Sequence, residues 1–144
     1  MNEQMENEKE NEKESKENSD TENKELVLQL EKQISIASWI QFIGQTIEAI
    51  NLSKIMLISE EVRMDANERQ ILLGAWLQSI GQFLIGIGVT KQVSASPETV
   101  PLEAQEITNI GDWIKTLGST VEAEASRQII IEEKKKLEPP ILIQ

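Results

Sequence analysis

Apolar positions in this chain recur with the period of a helix. Aliphatic residues fall at Ile36, Ile40, Ile43, Ile47 and Ile50, again at Leu73, Leu77, Ile80, Leu84 and Ile87, and again at Ile110, Ile114, Leu117 and Val121. Steps of four, three, four and three keep each set on one helix face, and strand alternation does not fit them. The pattern therefore predicts three amphipathic helices, the aliphatic stripe of each buried against its neighbours. Asp65, with Glu68 three residues on, is a capping pair that starts the second helix, which runs to about Val93. The first helix is expected from about Asn23–Leu26 to Arg63. The third begins near Pro101 or Asn109 and ends near Leu137, ahead of Pro139 and Pro140.

The three stripes are copies of one another. Tryptophans stand at positions 39, 76 and 113, two spacings of 37 residues. Laying residues 31–67 over 68–104 and 105–141 aligns Ala37-Ser-Trp-Ile-Gln-Phe-Ile-Gly with Gly74-Ala-Trp-Leu-Gln-Ser-Ile-Gly and Gly111-Asp-Trp-Ile-Lys-Thr-Leu-Gly. No insertion is needed. Such a gapless register implies duplication of a unit that builds its core by stacking on its neighbours. Beside each stripe small residues recur seven apart: Ala37 and Gly44, then Gly74, Gly81 and Gly88, then Gly111, Gly118 and Ala125. Glycine inside a helix costs about 1 kcal/mol against alanine. Its recurrence at one place in every unit points to close helix approach, the competing reading being a hinge. Trp39, Trp76 and Trp113 flank the stripe, as sealing residues at the edge of a core or as a belt at a membrane surface.

Short connections between such helices make the expected fold all-α: three tandem helical repeats in an antiparallel three-helix bundle over residues 26–138. Residues 1–25 hold ten acids, four lysines and almost no apolar side chain, and are expected to form a disordered acidic tail. Residues 139–144 form an apolar terminus. A solenoid, or a hairpin completed by a partner chain, is the alternative architecture.

Composition removes most chemistry. The chain has neither cysteine nor histidine, which excludes disulfides, thiol nucleophiles, imidazole bases and the usual zinc ligands. No phosphate loop, nucleophile elbow or dinucleotide fingerprint is present. The acid pairs Glu60-Glu61 and Glu132-Glu133 diverge by about 100° around a helix and read as solvated surface. The net charge is −11, and the one basic run, Lys134 to Lys136, follows two glutamates, which argues against nucleic-acid binding. No catalytic, cofactor or metal site and no small-molecule substrate is expected. Absent cysteine and the lack of a secretory signal fit a cytoplasmic protein.

The small-x-Trp-[Ile/Leu]-[Gln/Lys]-x-[Ile/Leu]-Gly units resemble a group of small tryptophan/glycine-motif repetitive proteins of Bacillus-type Gram-positive bacteria without an assigned activity. The resemblance covers roughly residues 31–130, and copy three departs from it at Asp112 and Lys115. It implies a repeat architecture and no particular chemistry. Two functional expectations follow from the residues. The first is a non-enzymatic scaffold or self-association module, acting on its own kind or on a protein partner through Trp39, Trp76, Trp113, Gly44, Gly81, Gly118, Gly74, Gly88 and Gly111. The second is a membrane-associated or pore-type helix protein, since Ile71–Val89 is 19 residues without a formal charge.

Overall fold

A computed structural model of the chain describes residues 2–95 and 102–137, with side chains from Glu17 onward. The expectations for residues 96–101 and 139–144 lie outside the described residues. The architecture is all-helical, and among the described residues there is no strand. In chain order the elements are α1 (Asn2–Ile58), α2 (Glu60–Met64), α3 (Ala66–Ser94) and α4 (Leu102–Leu137).

Capping explains the breaks. Ser59 adopts an extended backbone (φ −112°, ψ 111°), and its hydroxyl accepts a hydrogen bond from Val62 N, so it ends α1 and caps α2. Asp65 is also extended, and its carboxylate accepts from Asn67 N at 2.7 Å and Glu68 N at 3.2 Å, which caps α3. Each cap satisfies backbone donors that a helix start otherwise leaves open. The Asp65 cap was legible beforehand. The one at Ser59 was not, and it ends the first helix five residues before the expected Arg63.

Helix continues where coil was expected at the N-terminus. Glutamate, lysine and glutamine are good helix formers, so the backbone of the acidic segment extends α1 without needing a core. Every side chain from Glu17 to Ile34 is exposed, so among the described residues nothing packs on this part of α1.

Two further expectations require correction. The helices do not close into a bundle: α3 packs antiparallel on both α1 and α4, but among the described residues α1 and α4 do not touch. The result is an open layer with α3 in the middle. The aliphatic stripes, moreover, do not form the core. Buried instead, with Ile85 the one large aliphatic among them, are small and polar residues: Ser38 and Ala49 on α1; Gly74, Ala75, Ser79, Gly81, Gln82, Gly86 and Gly88 on α3; Ala104, Gly111, Gly118 and Ala125 on α4. The physical reason is helix separation. Small residues at the contact line let the backbones approach until no room is left for branched side chains between them, so these are displaced to the flanks.

Candidate interaction surface

The α3–α4 contact is a line of glycines. A Cβ at Gly74 would lie 2.7 Å from the Gly118 carbonyl oxygen, and one at Gly81 would lie 2.6 Å from both Gly111 O and Lys115 N. A Cβ at Gly88 would meet Ala104 O at 2.8 Å and collide with the Thr108 hydroxyl. The reciprocal positions are as tight, with Gly111 facing Gly81 O and Gly118 facing Gly74 O, each at 2.6 Å. None of the glycines has a positive φ. They are therefore contact points within continuous helices and not hinges. Gly44 is the exception among the expected packing residues: nothing lies within 4 Å of the place its Cβ would take. The cause is its position on the side of α1 that has no helical neighbour.

The α1–α3 contact uses a different face. Ala49 and Ala75 are 0% and 3% exposed, and Ser79 pairs with Thr46 through hydroxyls 2.8 Å apart. Trp39 lays its ring over Gly86, donates Nε1–H to the Thr90 hydroxyl at 3.0 Å and meets Phe42 and Phe83 edge-on at 5.9 Å. Trp76 donates in the reverse direction, to the Ser53 hydroxyl at 3.1 Å. Thr90 and Ser53 occupy the same repeat position, so the two indoles make equivalent bonds across the pair. Trp113 has no such neighbour and is 71% exposed. The outer side of α4 explains the departures of copy three. Its exposed Asp112 stands where Ser38 and Ala75 are buried, and its exposed Arg127 where Ser53 and Thr90 accept the indoles.

The tryptophans therefore part company. Trp39→Phe should cost about 1 kcal/mol, one partly buried hydrogen bond, whereas Trp113→Phe should stay within about 0.5 kcal/mol of the parent as an exposed change. Urea titrations of both variants check this, and equal losses would contradict the placement.

Polar groups lie between the helices. Gln82 is 1% exposed; its Nε2 donates to Ser38 O at 3.1 Å and its Oε1 accepts from Lys115 Nζ at 2.7 Å. Gln78 donates to Glu122, and Ser119 donates to Gln78 Oε1 at 3.2 Å. The sequence reading missed these residues and the α1–α3 face. Its signal was present as Ala75, Ser79, Gln82 and Gly86, small or polar at steps of four, three and four beside the aliphatic stripe.

The comparisons with protein-family models, curated proteins and solved structures return no match. The surface is thus described by its own chemistry. Among the described residues no group of three or more acidic side chains gathers as a metal site. A shallow, open depression lined by Thr116, Ser119, Thr120, Ala123, Glu124 and Arg127 runs along the flank of α4 alone. Glu124 there is held down to about 2 by hydrogen bonds from Arg127 and Gln128. This exposed interaction is complete above the ordinary carboxylate range and fades as pH falls towards the lowered value.

What the arrangement offers is apolar surface. Ile36, Ile43, Leu73, Ile80, Ile110 and Leu117 occupy two repeat positions in all three copies and are 49% to 60% exposed. An antiparallel pair in matched register is related by a local twofold normal to the layer, which keeps equivalent positions on one side of it. The layer thus carries its aliphatic ridge on a single side.

Proposed function

We propose that the chain is a non-enzymatic helical repeat module that works by self-association. The observation that carries this reading is the exposure of the same two ridge positions in every copy. Soluble monomers rarely leave contiguous apolar surface of that extent uncovered, and where they do it marks an association site. Repetition adds to this, because equivalent ridges on successive helices fit equivalent ridges on another copy. Light scattering coupled to size exclusion tests it. Masses at multiples of 16.3 kDa support the reading, and a monomer at all concentrations overturns it.

A second reading is favoured by the inside-out distribution of polarity. Hydrogen bonds lie between the helices and aliphatics outside, as in helices packed within lipid. Helix α3 is also long and apolar enough to cross a membrane, with less than half of its most apolar window buried. Flotation with phosphatidylcholine vesicles separates the two: comigration favours membrane association, and retention in the soluble fraction favours self-association.

A further inference from the structure

The α3–α4 contact is self-complementary in repeat register. Removing one 37-residue offset from α3 and two from α4 places Gly74 and Gly111 at position 37, and Gly81 and Gly118 at position 44. Since Gly74 faces Gly118 and Gly81 faces Gly111, position 37 meets position 44 in both directions. That is the pattern a twofold axis imposes on two identical helices. The flanking bonds keep the register: Gln78, at position 41, donates to Glu122 at position 48, and Lys115, also at position 41, donates to Gln82 at position 45.

Helix α1 carries the same face unused. Ala37, Gln41, Gly44 and Glu48 are all exposed, and the Cβ space at Gly44 is open. Ile40 and Ile47 are 63% and 54% exposed, whereas pairing leaves their equivalents Leu77, Leu84, Ile114 and Val121 half-buried. One polar atom of α1 is also unsatisfied: Gln45 Oε1 is buried without a hydrogen bond, although the equivalent atom of Gln82 accepts from position 41 of its neighbour. Among the described residues the outer side of α4 is equally free of neighbours, yet it has exchanged pairing residues for Asp112 and Arg127, which suit water. The open side of α1 has not.

We infer that this face of α1 seats a second copy of the chain, antiparallel about a twofold axis between positions 40 and 41. Ala37 of one copy lies on the partner's Gly44. Gln41 reaches towards the partner's Glu48 and the partner's Gln45, repeating the Gln78–Glu122 and Lys115–Gln82 contacts. The Cβ of Ala37, where copies two and three have glycine, sets the two helices slightly further apart than α3 and α4. Two layers then join edge to edge with their aliphatic sides continuous. The inference rests on the self-association reading and names its partner and register.

Cysteine scanning on the full chain tests it, since the chain has no cysteine of its own. Gln41→Cys lies at the axis and should form a disulfide-linked dimer on oxidation. Lys54→Cys should not, because its symmetry mate stands about 40 Å away along the helix. A Cβ at position 44 meets no atom among the described residues, so the melt of Gly44→Leu at dilution should be no lower than the parent's. Light scattering should show its dimer at least about tenfold weaker, since overcrowding recurs at both symmetric contacts. A monomeric parent overturns the self-association reading and the dimer together. A self-associating parent whose Gly44→Leu variant is unimpaired, or whose Gln41→Cys cross-links no better than Lys54→Cys, overturns this register and leaves that reading standing.

Discussion

Replacing Gly81 with alanine is expected to destabilise the chain even though alanine is the better helix former. The propensity gain is about 1 kcal/mol. Against it stands a Cβ placed 2.6 Å from Gly111 O and Lys115 N and 2.9 Å from Lys115 Cα. These are backbone atoms of a continuous helix, which cannot rotate aside as a side chain would. The helices must separate along their whole contact, and overcrowding of this kind costs about 1–3 kcal/mol. The net loss should therefore reach up to about 2 kcal/mol for Gly81→Ala. Gly81→Leu should exceed about 3 kcal/mol, a large share of a small domain's stability. The same change one repeat earlier has the opposite sign. Gly44→Ala enters open space, so below the concentration at which copies associate it should gain about 0.5–1 kcal/mol. Denaturant titrations of the pair measure the contrast. If both alanines shifted stability in the same direction, close approach at Gly81 would be the wrong explanation for its glycine.

That contrast marks how far the sequence could be read. Helical period, repeat offset and the Asp65 cap are local properties and were legible. So was close approach at Gly74, Gly81, Gly88, Gly111 and Gly118, because a glycine kept inside a helix needs a reason and the spacing of seven supplied one. Gly44 shares the motif and lacks the contact. A motif records what a unit is able to pair with, whereas the number of neighbours depends on how many units exist and where each stands. With three units in a row the middle one uses two faces and each outer one uses a single face. Helix α1 spends its single contact on the Ser38, Ala49 and Trp39 side, and α4 on the Gly111 and Gly118 side. Periodicity shows that a stripe is apolar but not whether it or the adjoining small residues line the contact. The choice falls to the small residues because nearer backbones make more contacts per residue, and that is why Ile36 to Ile50 stand outside.

The residue on which the three long helices converge is Gln82, and its removal should be the most costly polar change in the chain. Its amide, 1% exposed, bonds the Ser38 carbonyl of α1 and the Lys115 ammonium of α4. A neutral hydrogen bond contributes about 0.5–1.5 kcal/mol and one to a charged group about 1.5–3 kcal/mol. Gln82→Ala forfeits both bonds and leaves a cavity, so a loss of about 2–4 kcal/mol is expected. Gln82→Leu keeps the volume but strands the half-buried Lys115 ammonium, so it should remain destabilising by about 1–3 kcal/mol. Adding Lys115→Met removes the stranded charge while retaining the stem that packs along α3. The double variant should recover most of the loss, because replacing both partners of a buried bond with apolar groups of similar shape is nearly neutral. The cycle of parent, two singles and double isolates a coupling of about 1–3 kcal/mol. Strict additivity would mean that Lys115 finds its partner in water rather than in Gln82. The polar seam would then be incidental to the layer, which would rest on its small-residue contacts alone.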